Sequence, residues 1–145
     1  MIQEKYTPGC SLIASSTPHG PLSHPFRYSR GVGVQIDQSQ NVVLVGCTVS
    51  DNGMMGVNIT GGHGCGVRDS EVAGNGDAGV VLAGGDRVKL SPSNHFVANS
   101  TVHHNHRWIL NYSPDVMVAG VGQSVVDSEI FGSPQIAVFF QVICA

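Results

Sequence analysis

The stretch GVNITGGHGCGVRDSEVAGNGDAGVVLA, residues 56–83, holds one complete repeat and the opening of the next. Val57 and Val80 stand 23 residues apart, and the same interval separates Val34 from Val57 and Cys47 from Ser70. Apolar residues alternate within each unit, as in Val57/Ile59 and Val80/Leu82, which is the period of a strand. Gly and Asn punctuate these strands, and no stretch carries a long helical stripe.

The pattern continues on both sides. CTVSDN (47–52), SEVAGN (70–75), STVHHN (100–105) and SEIFGS (128–133) each read small, polar, branched apolar, two variable residues, then Asn or Ser. Three residues before each small residue stands another apolar one: Leu44, Val67, Val97 and Val125. A second set comprises GVQID (33–37), GVNIT (56–60), GVVLA (79–83), VMVAG (116–120) and AVFFQ (137–141). Later units are longer: Ser70 to Ser100 is 30 residues, and Ser100 to Ser128 is 28. Short strands at a fixed period suit a parallel β-solenoid, in which each coil lays its strands on the coil before and equivalent residues pile into ladders. Val49, Val72, Val102 and Ile130 are expected to form an inward apolar ladder. Cys47, Ser70, Ser100 and Ser128 are expected to stack at one turn, and Asn52, Asn75 and Asn105 at another, serving turn backbone groups.

An antiparallel sandwich is the plainer alternative, but its strands need not repeat at one period. The Leu/Asn consensus of a leucine-rich repeat is absent. A net charge of −3 with 12% charged residues argues against a general nucleic-acid binder. Disorder is disfavoured by 41% apolar residues. No apolar run approaches the ~20 residues of a membrane helix, so neither nucleic acid nor membrane is expected as a partner. Cys10, Cys47, Cys65 and Cys144 lack a CxxC pair and are read as free thiols.

The run GGDRVKLSPSNHFVANSTVHHNHRW (84–108) and its continuation PDVMVAGVGQSVVDSEIFGSPQIAVFF (114–140) resemble the right-handed parallel β-helix repeat proteins of the pectate-lyase-like group. The resemblance covers roughly residues 31–140. It implies an all-β fold, a right-handed parallel β-helix of about four coils of ~23 residues plus the start of a fifth, with two loops inserted into the coils. It also implies a polysaccharide or glycan partner, since members of that group are largely polysaccharide lyases, glycoside hydrolases and uronate epimerases. It points to an extracellular parent protein, although MIQEKYTPGC has no secretory signal pattern.

Two domains are expected: an irregular arm at 1–30, with Pro8, Pro18, Pro21 and Pro25, and a parallel β-helix at 31–145. The arm is placed to cover part of the first coil. Solenoids need polar caps, yet the chain ends on IAVFFQVICA (136–145). That reads as an incomplete solenoid, with self-association through the uncapped C-terminal coil as the hazard.

Extra length within a coil must leave it as a loop, and loops on a rigid scaffold carry function. Residues 84–94 (GGDRVKLSPSN) and 106–115 (HRWILNYSPD) are the two excursions. The catalytic candidates are His104, His106, Asp86 and Asp115, because acid/base work on a glycosidic bond or a uronate proton needs a tuned imidazole or carboxylate. The substrate-binding candidates are Arg87, Lys89, His95, Arg107, Trp108 and Tyr112. Trp108 and Tyr112 would be sugar platforms, and Arg87 and Arg107 clamps for hydroxyls or carboxylates.

On a strand, His104 and His106 share one face and His103 takes the other. Two His without a third placed ligand make a thin case for zinc, so no metal and no cofactor are expected. Asp69 and Asp127 read as turn residues, and Glu71 and Glu129 as outward and solvated. GGHGCG (61–66) and RVK (87–89) are kinds of motif seen in pectin-hydrolysing β-helix enzymes, but the Asp pair those enzymes need upstream is missing, so that activity is not carried over. The leading expectation is a carbohydrate-active hydrolase or lyase. The alternatives are a non-catalytic glycan-binding or adhesion β-helix, and an inactive piece of a longer enzyme.

Overall fold

The computed structural model describes residues 11–14 and 31–141. Fourteen strands follow in chain order: β1 (Ser11–Ala14), β2 (Val34–Asp37), β3 (Val42–Val45), β4 (Thr48–Ser50), β5 (Val57–Thr60), β6 (Gly66–Arg68), β7 (Glu71–Ala73), β8 (Val80–Gly84), β9 (Phe96–Ala98), β10 (Thr101–His103), β11 (Pro114–Gly120), β12 (Ser124–Val126), β13 (Glu129–Phe131) and β14 (Ile136–Gln141). They stack into three sheets. Sheet 1 is β2-β5-β8-β11-β14, sheet 2 is β1-β3-β6-β9-β12, and sheet 3 is β4-β7-β10-β13. Every pairing is parallel except that of β1, which runs antiparallel along β3 and covers that edge of sheet 2. The rest of the 1–30 arm lies outside the described residues.

The chain visits the sheets in the order 1, 2, 3 and returns to 1, so each coil is one period of the sequence. The registers reproduce the expected ladders: Val49, Val72, Val102 and Ile130 pair in sheet 3, and Leu44, Val67, Val97 and Val125 in sheet 2. In sheet 1 the inward columns are Val34–Val57–Val80–Val116–Val138 and Ile36–Ile59–Leu82–Val118–Phe140. The central members of these columns form one contiguous apolar core.

The turns are built from polar ladders. The Ser70 hydroxyl accepts from Cys47 N–H at 3.0 Å, Ser100 from Ser70 N–H at 3.3 Å, and Ser128 from Ser100 N–H at 3.3 Å. Each hydroxyl donates to the carbonyl two residues back. A hydroxyl is the small group that can both accept and donate there. The residue before each rung turns left-handed, with φ of 65° at Gly46, 50° at Asp69, 45° at Asn99 and 46° at Asp127. Gly, Asp and Asn tolerate that conformation best, which makes Asp69 and Asp127 turn residues.

The asparagine ladder runs alongside. Asn52 Nδ2 donates to Asn75 Oδ1, and Asn75 Nδ2 to Asn105 Oδ1, each at 2.8 Å. Cys65 is a buried free thiol, its pKa raised by burial. The expectation of free thiols is corrected at Cys47, which is disulfide-bonded to a partner outside the described residues.

Candidate functional site

The structure sorts the expected site residues into an interior set and an exposed set. Asp115 has no exposed surface. It occupies the position held by Gly33, Gly56 and Gly79 in the earlier coils, one residue before the Val column. A Cβ on Gly56 or Gly79 would lie 2.7 Å from the Nδ2 of Asn75 or Asn105. The coil begun by Asp115 has Ser133 where those coils have Asn, and the space so freed takes the carboxylate. Asp115 accepts from Asn105 Nδ2 at 2.7 Å and from the Ser133 hydroxyl, and so ends the asparagine ladder. Removal from water raises its pKa.

His106 is 1% exposed, with Nε2 3.5 Å from Asp115 Oδ1. Its N–H donates to Asp77 O, pinning the start of the 106–113 loop, while the Ser113 hydroxyl bonds the Asp77 carboxylate at the other end. His95 is also fully buried, and its Nδ1 accepts from Cys65 N–H at 3.2 Å. In this structure His95, His106 and Asp115 lie in the solenoid wall, away from any surface a glycan could touch.

His95 and Asp115 set the expected response to acid. Burial lowers the His95 pKa from its ordinary 6.5. The unfolded chain therefore binds that proton first, so stability is lost as pH falls below 6.5 toward the folded-state value. The Asp115 effect has the opposite sign, because its folded pKa lies above 3.8, and its contribution to stability falls as pH rises through the window between. Gln123 occupies the His95 position in the next coil, so His95→Gln keeps a neutral polar group there. Thermal melts across pH should show the wild type losing stability on the acid side of 6.5 and His95→Gln losing less; equal losses would remove His95 as the cause.

The two long loops leave different turns. One follows β8 at the junction of sheets 1 and 2, and the other precedes β11 at the junction of sheets 3 and 1. They sit at opposite edges of sheet 1 and reach in opposite directions along the axis. Arg87 donates to Gln141 O in the last coil, while Arg107 reaches Asp51 in the first. In the first loop, Asp86 Oδ1 accepts from the N–H groups of Val88 and Lys89, closing a tight turn, with Lys89 Nζ 4.0 Å from Asp86 Oδ2. Tyr112 is 93% exposed, in the second loop.

Of the exposed set, His104, Arg107 and Trp108 gather on the turn beside sheet 3, while Asp86, Arg87 and Lys89 stay with the other loop. The strand ends at His103, and His104 takes φ 50° in the left-handed column of Asp51, Gly74 and Gly132. That turn corrects the strand-face expectation: His103 and His104 come together, and His106 goes inside. His103 Nε2 lies 2.9 Å from Glu71 Oε1, and His103 Nδ1 lies 2.8 Å from His104 Nδ1. Phe131 stacks on His103 at 4.8 Å and meets His104 edge-on at 5.6 Å. Arg107 bonds Asp51 Oδ1 at 3.0 Å across the Gly74 turn, one rung from His104. Trp108, 75% exposed, rests on Gly76, where a Cβ would meet its ring at 2.4 Å.

Glu71, Thr101 and Glu129 share one outward column of sheet 3. Two strand spacings put the Cα atoms of the two Glu about 10 Å apart. Beside them a depression of about 270 Å³ is lined by Asn99, Ser100, Thr101, Asp127 and Glu129. Sequence reasoning weighs Asp127 and Glu129 as carboxylate candidates on the coil and reads Glu71 and Glu129 as solvated, sets His103 on the opposite face from His104, and passes over Phe131. The available signal was the alternation that sends Glu71, His103, Glu129 and Phe131 to one outer face.

No group of three His, Cys, Asp or Glu suited to a metal ion occurs among the described residues. A family model described as "Right handed beta helix region" matches residues 22–118, more than half of the chain. The chain belongs to that family, and its three stacked parallel sheets are a right-handed β-helix. No curated protein and no solved structure matches it.

Proposed function

We propose that this β-helix is carbohydrate-active, a hydrolase or lyase of the pectate-lyase-like kind that engages a polysaccharide along the outer face of sheet 3 and the 106–113 loop. The observation that carries the reading is the ridge of rings and charges around His104: exposed Phe131, Arg107 and Trp108, with half-buried His103, and with Glu71 beneath. Aromatic faces suit the C–H surface of a sugar, and fixed donors suit its hydroxyls and carboxylates.

The two reactions would use different parts of the ridge. Elimination from a uronate needs a base and a cation for the sugar carboxylate, roles that fit His104 and Arg107. Inverting hydrolysis needs two carboxylates ~6.5–9.5 Å apart. Glu71 and Glu129 are the outward carboxylates of one column, whereas Asp115 is buried and Asp86 is occupied in its turn.

The test is a panel of neutral and uronate polysaccharides, read for new reducing ends and for the ultraviolet absorbance of unsaturated uronate. Turnover of one member is expected, with Trp108→Ala raising KM more than it lowers kcat. Binding without turnover would favour the non-catalytic alternative, and neither binding nor turnover would contradict both.

A further inference from the structure

We infer that Glu71 and His103 form a proton-positioning chain that fixes the tautomer of His104 with a bare Nε2 facing solvent. Its use in catalysis rests on the glycan reading above, but the chain itself is independent of that reading.

The inference follows from donor and acceptor roles. An ionised carboxylate only accepts, so the proton in the 2.9 Å contact to Glu71 Oε1 sits on His103 Nε2. A neutral imidazole carries one N–H, so His103 Nδ1 is then an acceptor. The proton in the 2.8 Å contact between the two Nδ1 atoms must therefore belong to His104. A neutral His104 protonated at Nδ1 has its lone pair on Nε2, which bonds to none of the described residues. Packing holds the rings in place: Phe131 lies parallel to His103 within 1°, and His104 stands edge-on to Phe131. Gly132 makes room, since a Cβ there would sit 3.0 Å from three atoms of the His104 ring.

A base whose other nitrogen is held by a hydrogen bond keeps one orientation. In a turnover step His104 Nε2 would take one proton from the bound sugar and become an imidazolium. That charge would rest one ring away from the Glu71 carboxylate, and Glu71 would remain ionised. Glu71 and His103 are thus positioning residues, and of the three groups in this chain His104 alone touches substrate.

The experiment is long-range proton–nitrogen correlation NMR on the isotopically labelled full chain near neutral pH, with no ligand. The expected wild-type result is His103 protonated at Nε2 and His104 at Nδ1. Glu71→Lys tests the direction of the chain, because an ammonium only donates. Donation to His103 Nε2 moves the His103 proton to Nδ1 and the His104 proton to Nε2. One exposed change should therefore flip both rings. A wild-type His104 protonated at Nε2, or tautomers unmoved by Glu71→Lys, would overturn the inference. If the tautomers are as expected and no polysaccharide is turned over, the chain stands and the catalytic reading falls.

Discussion

Leu82→Ala should destabilise the protein by ~2–5 kcal/mol, the range for truncating a fully buried Leu. Leu82 has no exposed surface and lies at the centre of a column, with Ile59 in register on one side and Val118 on the other. The wall around it cannot collapse into the gap, because β8 is hydrogen-bonded to β5 and β11 along both edges. A solenoid's stability is close to a sum of coil and neighbour terms, so a cavity in the middle coil weakens two interfaces together. Chemical denaturation should show a lower midpoint with an unchanged slope. A loss within about 0.5 kcal/mol, typical of surface positions, would mean that Leu82 does not face the core.

His104→Ala should lower turnover by about 10²–10⁴-fold, the span for losing a general acid or base, with little change in stability. His104 is exposed and supports no ladder. Its neighbour Asn105, by contrast, is a buried rung, and loss of that side chain would remove the partner of Asn75 Nδ2 and of Asp115 Oδ1. Kinetics together with a melting curve separate the two roles. Turnover unchanged in His104→Ala would move the chemistry to another group, with Glu71 and Glu129 next to be substituted.

The fold was legible because a solenoid writes its contacts at a fixed sequence distance. Aligning CTVSDN with SEVAGN already names the partners in sheet 3, and the serine and asparagine rungs fall at the same interval. The site was less legible because its contacts are set where the period breaks. The Glu71–His103 bond spans 32 residues, across the longer coil. Alternation sent Glu71 outward correctly, but outward was equated with solvated. His104 was assigned to a strand face, whereas a left-handed turn swings it beside His103. Asp115 looked like a loop acid because it ends an insertion. Its role appears only when the loss of the ladder asparagine at Ser133 is paired with the gain of a carboxylate at a glycine position.

The most direct test of where this molecule acts is NMR shift mapping of the labelled chain titrated with acidic and neutral oligosaccharides. The account predicts that the signals of His103, His104, Trp108 and Phe131 move together and saturate together. Movement confined to the outer face of sheet 1, at Asn58 and Met117, or to the loop around Asp86 and Lys89, would contradict it.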